Sequence, residues 1–225
     1  MKPILIGCEE SQTITKAFRA KGYEAYSCDL EPCTGGHPEW HIQHNLLDVI
    51  RDDCWGMMIA HPPCTYLAVS GVQWLSHPDD KHLPFEARRP HPKYPNRRKD
   101  MREALRFFKE LYLAPIPRVC IENPVGLVNT WWRKPTQIIQ PYQFGDSASK
   151  KTCLWLQNLP TLEHTNVVDP GERRVYKSGK SHPKWWADIK DSAKTDKERR
   201  ALRSKTFEGI ANAIVDQWGP LLSDT

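Results

Sequence analysis

PILIGCEESQTITKAFRAKGYEAYSCD, residues 3–29, has the pattern of a complete strand–helix–strand unit and decides the fold. Its first residues form an apolar run, and residues 11–22 have the composition of a helix with Ser11 as N-cap and Gly22 as the closing residue. Residues 23–29 alternate in the manner of a strand and end at an acid. Because two strands joined by a helix usually pair in parallel, this unit predicts the start of a parallel sheet.

Strand and helix patterns continue to alternate along the rest of the chain. Residues 56–61, GMMIAH, form the continuous apolar run typical of a buried parallel strand, and residues 118–124 form the next strand pattern. Helical periodicity over residues 100–113 stops at Pro115, and an amphipathic helix is predicted over residues 205–219. We therefore predict an α/β, Rossmann-like fold with a mostly parallel sheet and helices on both faces.

The composition is typical of one globular domain. The chain has 225 residues, of which 39% are hydrophobic and 26% charged. No run approaches the roughly 20 apolar residues of a membrane span, and the N-terminus lacks the apolar core of a signal peptide. Seven widely spaced cysteines predict reduced thiols rather than a disulfide framework. We therefore expect a single-domain cytoplasmic protein.

Positive charge is concentrated in two strips. Residues 88–102 contain seven Lys and Arg against one acid, and residues 171–205 contain twelve against five, so the remainder is net negative. Both strips also contain aromatic residues, on which bases can stack. The pattern favours contact with a polyanion such as nucleic acid, with two solvated loops as the alternative. The candidate contact residues are Arg88, Arg89, Arg97, Arg98, Lys99, Arg173, Arg174, Lys177, Lys184 and Trp185.

Chemically useful residues follow the predicted strands where each strand ends. In parallel sheets of this type, ligands bind at the carboxyl ends of the strands. The first turn, GCEESQ, lacks the glycine pattern of dinucleotide-binding proteins, but Asp29 ends the second strand, where an acid can accept both ribose hydroxyls. These features favour a site for adenosine without a pyrophosphate.

Cys64 and Glu122 follow two other predicted strands. Pro62 and Pro63 stiffen the chain before Cys64 and can present its thiol over the sheet edge. A thiolate and a carboxylate can together activate a pyrimidine. Sulfur adds to C6 and the acid protonates or hydrogen-bonds N3, so that C5 becomes nucleophilic. The alternatives are a buried structural cysteine and a salt-bridged surface acid.

Cysteine and histidine residues between positions 28 and 41 are candidate metal ligands. Cys28, Cys33, His37 and His41 have the spacing C-x4-C-x3-H-x3-H, which contains zinc-ligand types. The short separation between the cysteine and histidine pairs leaves little room for a tetrahedral site. We therefore predict no metal.

The order of these motifs resembles the DNA cytosine-5 methyltransferases, especially the short proteins of phages and prophages. The resemblance covers residues 3–75, 117–160 and 206–219, and it implies a Rossmann-like S-adenosylmethionine-dependent methyltransferase fold. It implies Cys64 as the nucleophile and Glu122 on the N3 edge of cytosine. For the cofactor S-adenosylmethionine it implies Gly7, Cys8, Glu9, Glu10, Ser11, Asp29, Asn45, His61 and Asn212.

Three departures from the family pattern affect these expectations. Cys8, Glu9 and Glu10 replace the glycine-rich turn. The segment QPYQFGDSASKKTCLW stands in place of the Gln-x-Arg-x-Arg motif, so that Lys150 or Lys151 takes the place of the arginines. Of the two, Lys151 is assigned as catalytic. No full target-recognition domain fits between residues 160 and 205. We expect a single domain over residues 1–225 with a basic insert loop at 76–100 and a basic, aromatic-containing insert at 161–205.

The implied function is methylation of cytosine C5 in DNA, through a Cys64 adduct with a base that has left the helix. The implied setting is DNA methylation or restriction–modification in the cytoplasm of a bacterial or phage-infected cell. Three alternatives stay open. They are a DNA-binding protein that keeps the fold without turnover, an amino-group methyltransferase suggested by the HPPC loop, and an enzyme acting on free nucleotides.

Overall fold

The computed structural model describes residues 1–223, apart from the side chain of Arg200. Seven strands form one sheet in the order β3-β2-β1-β4-β5-β7-β6. Strands β1 to β5 pair in parallel, and β7 is antiparallel to both β5 and β6. The strands are β1 Ile4–Gly7, β2 Ala25–Asp29, β3 His41–Gln43, β4 Met57–Ala60, β5 Val119–Pro124, β6 Gln137–Ile139 and β7 Thr152–Gln157.

This order confirms the predicted fold class. The strand order reverses between β1 and β4, which is the switch point where doubly wound sheets bind ligands. The antiparallel β7 lies between β5 and β6 at one side of the otherwise parallel, Rossmann-like sheet.

Helices cover both faces of the sheet. The helices are α1 Thr13–Ala20, α2 Leu46–Val49, α3 Arg97–Tyr112, α4 Leu127–Trp131, α5 Lys184–Ser192, α6 Asp196–Ser204 and α7 Glu208–Trp218. Because side chains alternate along a strand, Ile4 and Ile6 pack in the core that contains α1 and α7, whereas Leu5 packs in the core that contains α2 and α3. The strands at the switch point are therefore buried on both faces.

The start of α1 differs from the sequence prediction. Gln12, not Ser11, is the N-cap residue, in a left-handed conformation and without a side-chain cap. The carboxylate of Glu9 caps the helix instead, because it accepts hydrogen bonds from the N–H groups of Ile14 at 2.7 Å and Thr15 at 3.2 Å. The helix therefore takes its cap from within the preceding turn.

The two predicted inserts have defined structure. Residues 76–96 contain 3-10 helices at Pro78–His82 and Phe85–Ala87, and α3 begins at Arg97 rather than at residue 100. In the second insert, β8 Arg173–Val175 and β9 Ser181–Pro183 form an antiparallel hairpin that leads into α5 and α6. Within residues 1–223, no helix combines the length and the apolar composition needed to cross a membrane.

Candidate active site

The loop after β4 holds Cys64 in a tight turn. The N–H of His61 donates to the carbonyl of Gly7 at 2.9 Å, which continues the β1–β4 pairing to the sheet edge. Pro62 and Pro63 follow, and the carbonyl of Cys64 then accepts from the N–H groups of Leu67 and Ala68. Cys64 is half-buried at the start of this turn.

The loops after β4 and β5 are joined directly. Asn123 Nδ2 donates to the carbonyl of Pro62 at 2.8 Å, and the N–H of Leu127 donates to the carbonyl of Leu67 at 2.7 Å. Gly126 permits this approach, since a Cβ there would clash with the Leu67 carbonyl. The loop that carries Cys64 is thus fixed to the strand that carries Glu122.

Glu122 is held by a histidine. His61 Nδ1 lies 3.1 Å from Glu122 Oε2, and both side chains are largely buried. Burial raises the pKa of Glu122, but the hydrogen bond from His61 and the charges of Lys150 and His61 outweigh it, so the pKa lies below its ordinary value. Glu122 is therefore a carboxylate at neutral pH.

Cys64 holds its proton in this environment. Burial is the main cause that raises the pKa of its thiol, and the negative charge of Glu122 raises it further. Lys150 acts in the opposite direction but does not reverse the shift. The resting pair is therefore a thiol beside a carboxylate.

Lys150, rather than Lys151, is beside Glu122. Lys150 is half-buried and its charge lowers the pKa of both Glu122 and Cys64. Lys151 is exposed, and its charge acts on Cys153 instead. The two lysines are neighbours in the extended segment that enters β7, where successive side chains point to opposite sides.

A small cavity of about 20 Å³ lies beside Glu122. His61, Glu122 and Lys150 line one part of it, and Thr206 and Phe207, which precede α7, line another. This volume fits a single water molecule and is far smaller than a base.

A second cavity, of about 450 Å³, opens at the switch point, and we call it the adenosyl cavity after the adenosine site that the sequence predicts there. Three of the predicted cofactor residues, Cys8, Asp29 and Asn45, are among its lining residues. Pro63 and Tyr66, which flank Cys64, also line it. The cavity and the Cys64 loop therefore share a wall.

The residues of this cavity fit an adenosyl group. Its volume is within the usual range for small-molecule sites. Leu46, Pro63 and Phe107 offer apolar surface for a base, and the carboxylate of Asp29 lies at the end of β2, where it can accept ribose hydroxyls. Asp29 Oδ1 already accepts from the N–H of Glu31 at 3.0 Å, which fixes its orientation.

One wall of the adenosyl cavity was not predicted. Asp100, Glu103, Ala104 and Phe107 of α3 line it. Their i, i+3, i+4, i+7 spacing marks a helical face next to the apolar face recognised from the sequence. The helical spacing was visible in the sequence and could have marked these residues as one face. Only the sheet topology places that face over the switch point.

The other predicted cofactor residues lie outside the lining of the adenosyl cavity. Gly7 packs against Leu46, Glu9 caps α1 and His61 bonds Glu122. In the same turn, the Glu10 carbonyl accepts from Thr34 N–H at 2.7 Å, and Ser11 Oγ lies 3.4 Å from Thr13 Oγ1. Asn212 is on the exposed face of α7.

Four arginines of the first basic strip are engaged within the protein, whereas Arg102 is exposed. Arg88 donates to the carbonyls of Lys81 and Leu83, Arg89 pairs with the buried carboxylate of Asp80, and Arg97 donates to the Thr65 carbonyl. Arg98 donates to four acceptors, namely the carbonyls of Leu75, Phe85 and Arg88 and the Ser76 hydroxyl. Lys99 is exposed and lies 3.9 Å from Glu103. This strip holds residues 65–98 together.

Some residues of the second strip contact other parts of the protein, whereas others are exposed. Arg173 donates to Ser181, Arg174 pairs with Asp188 and Asp191, and Lys184 pairs with Glu172 at 3.3 Å. Trp185 donates to the Ser149 carbonyl at 3.3 Å and packs edge-on against Phe207. Lys177 and Lys180 are exposed near the hairpin tip.

The zinc-type residues do not converge. Cys28 donates to the His44 carbonyl, Cys33 to Gln12, and His41 Nδ1 lies 2.8 Å from Ser27 Oγ. His37 stacks on Trp40. In the described part of the chain, no group of three or more potential ligands is arranged to hold a metal ion.

Comparison with solved structures finds 53 chains that resemble this one, among them two that are distant in sequence. No protein-family profile matches the chain, and no curated protein matches it. A triple mutant of DNMT2 from Spodoptera frugiperda is similar at 17% identity and a TM-score of 0.40, over 76% of this chain and 57% of that chain. A protein described as a DNA modification methyltransferase encoded within a prophage of E. coli is similar at 9% identity and a TM-score of 0.37, over 69% of this chain and 46% of that chain. This chain thus spans about half the length of those two chains.

Proposed function

We propose that this protein transfers a methyl group from S-adenosylmethionine to C5 of cytosine in DNA. The observation that carries the proposal is the direct joining of the Cys64 loop to the strand of Glu122, beside a cavity whose residues fit an adenosyl group. The thiol, the carboxylate and the proposed donor site thus follow four neighbouring strands, β2, β1, β4 and β5.

The proposed chemistry begins with one proton shared between two side chains. Glu122 takes the proton of the Cys64 thiol, and the resulting thiolate forms a bond to C6 of the cytosine. Glu122 then gives the same proton to N3, which draws electrons from the ring and makes C5 nucleophilic. S-adenosylmethionine in the adenosyl cavity supplies the electrophilic methyl group. Solvent then takes the C5 proton and the sulfur departs as a thiolate. The N3 proton returns through Glu122 to this thiolate, so that Cys64 ends as a thiol and Glu122 as a carboxylate.

His61 and Lys150 support this exchange. His61 Nδ1 donates to Glu122 Oε2 and so fixes which carboxylate oxygen remains for the base. Lys150, rather than Lys151, is the lysine of the proposed mechanism, because it lines the cavity beside Glu122, from which its ammonium group would donate to the cytosine O2. Asn123 positions the Cys64 loop through Pro62.

DNA binding has to open the space beside Glu122. The small cavity holds only about 20 Å³, so Lys150 and Phe207 must move apart before a flipped base reaches the carboxylate. Phe207 contacts Trp185 of α5, which follows the basic hairpin. A phosphate contact on the hairpin can therefore move Phe207, at the entrance for the base, through α5 and Trp185.

The test is identification of the methylated product. The protein is incubated with DNA and S-adenosylmethionine carrying a labelled methyl group, and the nucleosides are separated by mass spectrometry. We expect labelled 5-methylcytosine with the wild type and with Cys54→Ser, and none with Cys64→Ala.

Other products would overturn the proposal. Labelled N4-methylcytosine or N6-methyladenine would identify an amino-group methyltransferase. In a parallel incubation with free deoxycytidine monophosphate, label in the nucleotide and none in DNA would identify a nucleotide enzyme. Absence of label in DNA while the cofactor is bound would support a binding protein without turnover.

A further inference from the structure

The anion-binding end of α1 is filled by the protein itself. Exposed N–H groups at a helix N-terminus ordinarily attract the carboxylate or phosphate of a ligand. Here Glu9, which is 3% exposed, accepts from Ile14 and Thr15, and its Oε2 also accepts from the Thr15 hydroxyl at 2.8 Å. In the same turn, the N–H groups of Cys8 and Glu9 are directed to the Cys28 carbonyl. These amides are thus already used within the chain.

The adenosyl cavity beside this turn has acidic walls. Asp29 lies at the end of β2, and Asp100 and Glu103 lie on α3 across from it. None of the described residues that line it is Lys or Arg. His44, the one histidine in this lining, has its Nδ1 3.7 Å from the carboxylate of Asp48.

Two cations that contact residues of these walls do not neutralise them. Lys99 reaches Glu103 only at 3.9 Å and is exposed, so its charge is screened by solvent. The Arg97 guanidinium lies over the Tyr66 ring, 4.5 Å from its centroid, and donates to the Thr65 carbonyl. The cavity therefore presents more negative than positive charge to a ligand.

We propose that the adenosyl cavity selects the positive charge of its ligand and makes little use of the ligand's carboxylate. This inference rests on the proposed function, since it concerns the same cofactor site. S-Adenosylmethionine carries a sulfonium and an ammonium against one carboxylate, its demethylated product S-adenosylhomocysteine lacks the sulfonium, and decarboxylated S-adenosylmethionine lacks the carboxylate. The acidic walls thus favour the donor over the product.

Calorimetric titration of the full chain with the three compounds, at low salt and pH 7.5, tests this inference. We expect decarboxylated S-adenosylmethionine to bind at least as tightly as S-adenosylmethionine. S-Adenosylhomocysteine should bind roughly threefold to tenfold more weakly than S-adenosylmethionine, which is the scale of one charge interaction in a partly solvated site.

Variants on α3 locate the effect. Asp100→Asn and Glu103→Gln should each reduce the preference for S-adenosylmethionine over S-adenosylhomocysteine by roughly twofold to fivefold. The matched control is Glu110→Gln, because Glu110 is on the same helix, pairs with Arg106 and does not line the cavity. The control should leave the preference unchanged.

The outcomes separate this inference from the proposed function. Tighter binding of S-adenosylmethionine than of its decarboxylated form by tenfold or more, or equal binding of product and donor, would overturn the charge selection and leave the cofactor assignment intact. Failure of all three compounds to bind would overturn both. An equal loss of preference in the Glu110→Gln control would also contradict the role of the cavity walls.

Discussion

At the scale of single residues, the chemistry depends on where one proton resides. Burial and the charge of Glu122 both raise the pKa of Cys64, whereas His61 and Lys150 outweigh burial and lower the pKa of Glu122. The proton therefore stays on sulfur until a base with a free N3 enters the site. This arrangement limits side reactions of the thiol with other electrophiles, because the thiolate is the reactive form.

Replacement of Glu122 should make alkylation of the Cys64 thiol faster and methylation of DNA slower. In Glu122→Gln the negative charge that raises the pKa of Cys64 is gone, so the thiolate fraction below that pKa increases. We expect alkylation of Cys64 by iodoacetamide at pH 7.5 to be roughly threefold to tenfold faster than in the wild type, while methylation of DNA falls. The midpoint of the alkylation pH profile should shift downward.

The measurement is peptide-resolved mass spectrometry of the alkylation rates. Cys54 is an internal control, because its pKa is raised by burial and by Asp52 and not by Glu122. An unchanged or slower rate at Cys64, with the Cys54 rate constant, would show that Glu122 does not set the state of the thiol.

At the scale of secondary-structure elements, the β8–β9 hairpin presents exposed basic side chains, which makes it a candidate for the proposed DNA contact. Four arginines of the first strip hold loop carbonyls and Asp80, and α5 is anchored through Trp185. Lys177 and Lys180 project near the hairpin tip and are exposed. Their ammonium groups can therefore pair with phosphates without loss of an internal contact.

Neutralising the hairpin tip should weaken DNA binding in a salt-dependent manner. We expect the double variant Lys177→Gln/Lys180→Gln to reduce the slope of log K against log salt by roughly 2, since each duplex phosphate contact contributes about 0.9. Fluorescence anisotropy with labelled duplex DNA measures the slope. The control is Lys2→Gln/Lys21→Gln, because these residues lie at the amino-terminal edge of the sheet, away from the site. Equal slopes for both double variants would contradict the hairpin as a phosphate contact.

The elements show which parts of the fold the sequence could predict. Long apolar runs and helical periodicity predicted β1, β2, β4, β5, α3 and α7, because burial on a sheet imposes those patterns. The Glu9 cap was missed because Ser11 is the more usual N-cap type and the carboxylate comes from within a turn. The hairpin and α5 to α6 were missed because they are short and polar, without a clear period.

The sequence predicted which strand ends form the candidate site, but not all of the side-chain contacts within it. Cys64 and Glu122 were expected together because parallel strands end at one edge, whereas the choice between Lys150 and Lys151 depends on a one-residue alternation at the start of β7. The partnership of His61 with Glu122 links residues 61 positions apart and has no local signal. The arginine contacts of the first strip likewise depend on tertiary folding.

At the scale of the whole molecule, the strand order explains why one edge carries the chemistry. The order places β1 between β2 and β4, and β4 beside β5, so the turns that carry Cys8, Asp29, Cys64 and Glu122 meet at the carboxyl edge. Helix α3 covers this edge on one face, and α7 with the second insert covers it on the other. In the proposed reaction, donor and base would therefore approach Cys64 through separate cavities.

Covalent trapping tests the central claim, that Cys64 attacks cytosine in DNA, most directly. Duplex DNA containing 5-fluorocytosine is incubated with the protein and S-adenosylmethionine and analysed on a denaturing gel, since fluorine at C5 cannot leave as a proton and the adduct persists. We predict a protein–DNA adduct with the wild type, mapped to Cys64 by mass spectrometry, and none with Cys64→Ser. No adduct from wild-type protein that binds both DNA and cofactor, or an adduct that survives in Cys64→Ser, would contradict the account.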